Sequence, residues 1–159
     1  MGHERLYEFR ISKYDHKYRT DGVYLKEEWT SISDVGKVFE GKMFTSAEYE
    51  HYESLYLSFI ESVCAQLDIA EMVVSCLEDY NSICSYNNDA SIKGINAIIE
   101  VARDCLREKY WCKLVTDVCQ FHFGYDYYLY LCSPLNYHYV NDLATERGLY
   151  VEIKASPYK

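Results

Sequence analysis

The stretch Thr45–Leu67, TSAEYEHYESLYLSFIESVCAQL, decides how this chain folds. Thr45 followed by Glu48 is typical of a capping box, in which two side chains accept hydrogen bonds from free main-chain N–H groups at a helix start. We expect the helix to end near Asp68 and to need a partner surface for its apolar stripe. That stripe follows the spacing of an amphipathic helix of about six turns and consists of Tyr49, Tyr52, Tyr56, Phe59, Ile60, Val63 and Leu67.

Strand-like segments on both sides of this helix supply the partner surface. Apolar and polar residues alternate over 7–12 and again over 149–153, which indicates two half-buried strands. Residues 72–77 form a short, apolar, β-branched run, which is typical of a central strand. Residues 119–131 hold two strand-like runs around Gly124-Tyr125-Asp126, which predicts a hairpin or a bulged strand.

Two further helices are predicted. Asn87-Asn88-Asp89 is a plausible cap for a helix that continues to about Arg107, and residues 137–147 form a third helix that ends at Gly148. The stripe of the second helix consists of Ile92, Ile95, Ile99, Ala102 and Leu106. The sequence therefore predicts an α+β fold: a single domain over 1–159, with a mixed β-sheet of about five strands and about three helices packed on it.

Charge excludes some classes of partner. The chain carries 25 acidic and 16 basic residues, a formal net charge of −9, and no block of basic residues. Phosphate binding needs concentrated positive charge, so we expect no nucleic-acid partner. No apolar run approaches the roughly 20 residues of a membrane helix, so no membrane partner is expected either.

The cysteines and the N-terminus indicate a compartment. The N-terminal residues lack an apolar segment of the kind a secretory signal contains. Seven cysteines, an odd number, favour reduced thiols in the cytoplasm. Most lie in apolar patterns, where a free cysteine behaves as a small hydrophobic residue, and none forms the close ligand pairs of a zinc site. We expect no metal and no other cofactor.

Catalytic motifs are absent from the sequence. No glycine-rich phosphate loop and no G-x-S-x-G occurs, and no two histidines have the spacing of a helical zinc site. Cys119 and His122 are close in sequence, but residues three apart on a strand point to opposite faces. Glu78-Asp79 ends a strand, where catalytic carboxylates are often found, although a solvated turn is the simpler explanation of the pair. These observations favour a protein that is not an enzyme.

Tyrosine is the most unusual component, with 18 residues in a chain of 159. Tyr49, Tyr52 and Tyr56 belong to the helix stripe and are expected in the core or at its edge. Alternation along a strand would place Tyr128 and Tyr130 on one face and Tyr125 and Tyr127 on the other, with some of these rings exposed beside Asp126. Tyrosine is a common contact residue in protein interfaces. The candidate partner-binding residues are therefore Glu78, Asp79, Tyr80, Tyr125, Asp126, Tyr127 and Tyr128.

Three stretches together resemble small bacterial immunity proteins that accompany polymorphic or contact-dependent toxins. They are residues 26–36 (KEEWTSISDVG), residues 123–130 (FGYDYYLY) and residues 147–153 (RGLYVEI) continuing to Ser156-Pro157-Tyr158. The resemblance implies a cytoplasmic protein that binds and neutralises a cognate toxin domain. Many such toxins are basic nucleases, which an acidic surface covers. No site residue transfers from the resemblance, because these families vary most at the interface.

Two other hypotheses remain open. One is a small ligand-binding domain or enzyme with a site at strand ends near Glu78-Asp79 and His122. The other is a homo-oligomeric module that associates through the tyrosine residues. A ligand that binds only the native state raises stability, so melting in the presence of metabolites distinguishes the first, and light scattering distinguishes the second.

Overall fold

The computed structural model describes residues 5–158, and the predicted domain ends Met1–Glu4 and Lys159 lie outside the described residues. Three helices occur in this part of the chain: α1 (Ser46–Gln66), α2 (Ile95–Leu106) and α3 (Tyr137–Glu146). The strands are β1 (Tyr7–Ser12), β2 (Arg19–Thr20), β3 (Val23–Tyr24), β4 (Val38–Phe39), β5 (Lys42–Met43), β6 (Glu71–Glu78), β7 (Ser91–Lys93), β8 (Trp111–Val115), β9 (Gln120–Phe123), β10 (Leu129–Ser133) and β11 (Tyr150–Ile153).

Seven of these strands form one sheet in the order β11-β1-β10-β9-β8-β6-β7. Every neighbouring pair is antiparallel, so the predicted α+β class is confirmed, whereas the mixed sheet of about five strands is wrong. Two strands of this sheet were not predicted from the sequence. β8 begins at Trp111, shortly after α2, and the short β7 contains Ile92, which has the same spacing as the helix stripe that follows it.

The long helix begins and ends as predicted. The Thr45 side chain accepts a hydrogen bond from the Glu48 main-chain N–H at 3.2 Å, and α1 ends at Gln66, next to Asp68 with its φ of 56°. The second helix starts later than predicted, at Ile95, after Gly94 with a φ of 93°. Asn87-Asn88-Asp89 therefore lies in the loop before β7 and not at a helix start.

One hydrophobic cluster joins the helices to the sheet. Tyr56, Phe59, Ile60 and Val63 of α1 are fully buried in it, as the stripe predicts. Tyr49 is also buried, and Tyr52 is partly buried against the cluster. The sheet contributes alternate strand residues to this cluster, including Phe9, Ile11, Val74, Leu114, Phe121 and Leu131.

The hairpin predicted over residues 119–131 is present, with β9 and β10 as its strands. Its tip differs from the prediction, because Tyr125–Tyr127 forms a 3-10 turn rather than strand. Asp126 and Tyr127 have φ angles of 60° and 64°, in the left-handed region. The strict alternation predicted for Tyr125 and Tyr127 is therefore wrong, and the two rings point to different environments.

Between residues 5 and 158, no helix is both long and apolar enough to span a bilayer.

Candidate functional site: an aromatic cleft at one end of the sheet

A cleft of about 390 Å³ opens at the end of the sheet where β6 and β9 end and β8 begins. Its volume is at the lower end of the range for ligand sites in proteins. We call it the aromatic cleft, because six of its residues are Tyr80, Tyr110, Trp111, Phe123, Tyr125 and Tyr158. Its remaining lining residues are Glu78, Asn81, Cys105, Glu108, Lys109 and Gly124.

Two separate candidate segments of the sequence meet at this cleft. Glu78 and Tyr80 come from the end of β6 and the loop after it, and Tyr125 comes from the turn between β9 and β10. Tyr80 is 91% exposed and Tyr125 is 83% exposed. Large aromatic rings that are so exposed have lost little water on folding, and they are available to a partner.

Asp79 shapes the loop that carries Tyr80. Its carboxylate accepts hydrogen bonds from the main-chain N–H of Ile83 at 2.9 Å and of Cys84 at 2.7 Å. Both carboxylate oxygens therefore accept hydrogen bonds from the main chain of the loop that follows. Asp79 positions the binding loop, and its side chain does not line the cleft.

Two buried tyrosine hydroxyls hold the turn that carries Tyr125. Tyr14 Oη donates to the carbonyl oxygen of Asp126 at 2.7 Å, and Tyr56 Oη donates to the carbonyl oxygen of Tyr127 at 2.8 Å. The two acceptor residues, Asp126 and Tyr127, are the residues of this turn with left-handed φ angles. A bulky residue such as Tyr127 rarely adopts that conformation unless the surrounding structure enforces it.

The Tyr127 ring is enclosed by other aromatic rings on the helix side of the sheet. Its centroid lies 4.7 Å from that of Tyr56, 5.0 Å from that of Trp29 and 5.7 Å from that of Tyr49. Tyr127 is only 5% exposed, and burial raises the pKa of its hydroxyl far above the ordinary value. This ring anchors the turn in the core and is not available to a partner, which corrects its place among the candidate contact residues.

Tyr128 is also committed within the fold. The Arg10 guanidinium lies 4.2 Å from the centroid of its ring, and Arg19 Nη2 donates to its hydroxyl at 2.8 Å. Arg10 in turn forms an ion pair with Glu152 at 2.9 Å. Tyr128 is thus half-buried in a network of charges away from the cleft. Asp126 is exposed at the turn but does not line the cleft.

The cleft walls are fixed by polar contacts that leave their rings free. Trp111 Nε1 donates to the carbonyl oxygen of Phe123 at 2.6 Å, and Tyr158 Oη accepts from the Tyr125 main-chain N–H at 3.3 Å. The rings of Trp111 and Tyr158 pack together with their centroids 5.2 Å apart. A ligand in the cleft therefore meets the faces and edges of these rings rather than their polar atoms.

His122 secures the tail that carries Tyr158. A hydrogen bond of 2.6 Å joins His122 Nδ1 to Ser156 Oγ, and another of 2.8 Å joins Nε2 to Gln120 Oε1. Both ring nitrogens are occupied, and neither His122 nor Cys119 lines the cleft that contains Glu78. The structure does not bring these residues together with Glu78 in that cleft.

The cysteine in the cleft is a neutral thiol. Cys105 Sγ lies 3.7 Å from Cys112 Sγ, and none of the seven cysteines forms a disulfide bond. The hydrogen bond with Cys112, together with burial, raises the pKa of Cys105 well above its ordinary value. A thiol that keeps its proton at neutral pH is a poor nucleophile and a poor metal ligand.

The cleft carries unbalanced negative charge. Glu78 has no ion pair or side-chain hydrogen bond among the described residues, and Glu108 accepts a hydrogen bond from Ser31 Oγ at 2.8 Å. Lys109 lies 3.7 Å from Asp104, which also accepts a hydrogen bond from Tyr110 Oη at 3.0 Å. The positive charge of Lys109 is neutralised by Asp104, so the negative charges of Glu78 and Glu108 have no counter-charge in the cleft.

The candidate residues from the sequence include three of the twelve that line this cleft, namely Glu78, Tyr80 and Tyr125. The residues Glu108 to Trp111 lie where α2 ends and β8 begins, and Tyr158 lies in the tail. The adjacent aromatic residues Tyr110 and Trp111, directly after a helix rich in apolar residues, are the signal that marks this wall in the sequence.

Within residues 5–158, no group of three or more His, Cys, Asp or Glu residues is arranged to hold a metal ion. Comparison of the chain with protein-family models, with curated protein sequences and with solved structures finds no match. The function of the site therefore has to be inferred from its own chemistry.

Proposed function

We propose that this chain is a cytoplasmic immunity protein that binds and neutralises a basic toxin domain through the surface around the aromatic cleft. The observation that carries the proposal is the meeting of Glu78, Tyr80 and Tyr125 at one concave surface. Exposed tyrosines around a concave site, next to carboxylates, have the composition of an interface that is selective for a cationic protein.

The charge of the whole chain supports the same partner. A net charge of −9 creates a field that accelerates encounter with a basic protein and slows encounter with nucleic acid. Exposed aromatic rings then lose their water on contact and slow dissociation. The electrostatic attraction at long range and the burial of aromatic rings on contact thus both favour a basic protein as the partner.

The chemistry of the cleft supports binding over catalysis. The thiol in the cleft is protonated, and His122, in the strand that ends at the cleft, has both ring nitrogens in hydrogen bonds with the fold. The cleft offers rings and carboxylates, which recognise a cationic group, and no activated nucleophile.

The proposal is tested by co-expression with the toxic domain encoded next to the gene of this chain. The wild-type chain should restore colony formation, and Glu78→Gln should protect less well. Glu71→Gln is the matched control, because Glu71 is an exposed carboxylate at the opposite end of the same strand. Failure of the wild-type chain to protect cells, despite normal expression of both proteins, would contradict the proposed function.

A second candidate function follows from the cleft volume, because 390 Å³ also accommodates a small molecule. A ligand-binding domain or enzyme would use Glu78 as its polar contact. A rise in melting temperature with one metabolite from a panel, abolished by Tyr125→Ala, would favour this function. An unchanged melting temperature across the panel would weigh against it.

A further inference from the structure

We propose that the aromatic cleft is a receptor for one arginine side chain of the partner. The inference rests on the proposed function, which it deepens by naming the group that is recognised. It starts from the chemistry that the cleft walls leave unused.

Three polar groups of the aromatic walls already form hydrogen bonds within the fold. Trp111 Nε1 is bonded to Phe123, Tyr110 Oη is bonded to Asp104, and Tyr158 Oη accepts from Tyr125. The flat surfaces of these rings remain, and a flat, weakly hydrated cation binds to such surfaces. The guanidinium group of arginine has this shape, whereas the ammonium group of lysine is compact and strongly hydrated.

A carboxylate stands beside these rings. Glu78 lies directly opposite Trp111 in the pairing of β6 with β8, so their side chains are neighbours on one face of the sheet. Glu78 has no ion-pair partner among the described residues, and a carboxylate pairs with a guanidinium through two parallel hydrogen bonds. Glu108 also lines the cleft and adds a second negative charge.

The chain already holds one of its own arginines in this way. The Arg10 guanidinium lies over the Tyr128 ring at 4.2 Å and forms an ion pair with Glu152 at 2.9 Å. The cleft repeats this combination of aromatic rings and glutamate at a surface that a partner can reach.

The test uses small probes and nuclear magnetic resonance of the labelled full chain. N-acetyl-arginine amide is titrated and compared with N-acetyl-citrulline amide, which has the same shape without the charge, and with N-acetyl-lysine amide. We expect the arginine probe to shift the Trp111 indole N–H and Tyr125 amide resonances saturably, at millimolar concentration. The indole resonance of Trp29, which is buried, should not move and serves as an internal reference.

Two variants test whether the carboxylate of Glu78 binds the arginine probe. Glu78→Gln should weaken binding of the arginine probe at least five-fold, whereas Glu71→Gln should leave it unchanged, with both variants melting at the wild-type temperature. Equal binding of citrulline or lysine, or no effect of Glu78→Gln, would overturn the inference.

If the arginine probe does not bind but the chain still neutralises its toxin, the arginine receptor is refuted and the proposed function stands. If the probe binds as expected but no toxin is neutralised, the receptor stands and the proposed function is refuted.

Discussion

Tyr56 Oη donates a hydrogen bond to the carbonyl oxygen of Tyr127 at 2.8 Å and accepts one from the Lys13 main-chain N–H at 2.8 Å. The side chain of a fully buried helix residue thus connects the first strand to the turn that presents Tyr125. The ring of Tyr56 also packs against the ring of Tyr127. The position of the exposed Tyr125 therefore depends on a tyrosine that is itself fully buried.

We predict that Tyr56→Phe lowers the free energy of unfolding by about 2–3 kcal/mol, because two buried main-chain groups lose their partner. Tyr127→Phe is the matched control. Its hydroxyl is buried with no hydrogen-bond partner of good geometry among residues 5–158, so its removal should change stability by less than about 0.5 kcal/mol or increase it. Urea denaturation measures both values. Equal losses in the two variants would contradict this account of the turn.

Gly124 should not tolerate a side chain. A Cβ at this position would lie 2.8 Å from Tyr130 Cε2 and 3.3 Å from Tyr128 Cβ. Tyr130 is itself buried and has little room to move, so we expect Gly124→Ala to cost about 1–3 kcal/mol and to displace the cleft wall. Trp111 fluorescence should change in this variant. It should not change in Gly22→Ala, where the added Cβ has open space and any loss of stability comes from the left-handed φ of 79°. A wild-type spectrum and stability in Gly124→Ala would refute the close approach.

Lys13 gives stability a pH dependence above neutrality. Burial, opposed by the charge of Glu28, lowers the pKa of Lys13 to about 8, below its value of roughly 10.4 in the unfolded chain. Between these values the unfolded state binds more protons than the native state, so stability should rise with pH from about 8 to 10, by on the order of 1–3 kcal/mol. Urea midpoints measured across this range should show the rise in wild type and lose it in Lys13→Met. A flat wild-type profile would contradict the effect of burial.

The buried tyrosines should reverse this trend at higher pH. Burial raises the pKa values of Tyr14, Tyr56 and Tyr127 above that of an unfolded tyrosine, roughly 10. Above that pH the unfolded state loses protons that the native state keeps, so stability should fall, by about 1.4 kcal/mol per pH unit for each group. Absorbance at 295 nm should show Tyr14, Tyr56 and Tyr127 ionising only together with unfolding. Simultaneous titration of all tyrosines in the folded chain would contradict the prediction.

The helices and strands with a clear hydrophobic periodicity could be predicted from the sequence, because residues close together in the chain determine them. The Thr45 cap, the α1 stripe and the end of α3 at Gly148 depend on residues a few positions apart. The antiparallel order of the sheet depends on β1 inserting between β10 and β11, which no local pattern encodes. Ile92 shows the difficulty, since the same residue fits the period of a helix and of a short strand.

The site was predictable only in part for a related reason. Exposure of Tyr80 and Tyr125 agrees with their turn positions, whereas burial of Tyr127 follows from a left-handed turn that tertiary hydrogen bonds enforce. The cleft itself forms because α2 ends beside the strand ends, so that Trp111 and Tyr158 meet across a large separation in the chain. That long-range contact has no signature in the spacing of the residues.

The most direct test of the central claim is the affinity of the purified chain for the proposed partner, the toxic domain encoded next to its gene, measured by calorimetry with two tyrosine variants. Tyr125→Ala removes an exposed ring from the cleft, and Tyr137→Ala removes a partly exposed ring at the start of α3. The account predicts that Tyr125→Ala weakens binding by at least about 30-fold, or roughly 2 kcal/mol, and that Tyr137→Ala changes it by less than about two-fold. Equal affinities for wild type and Tyr125→Ala would contradict the claim that the partner binds at the aromatic cleft.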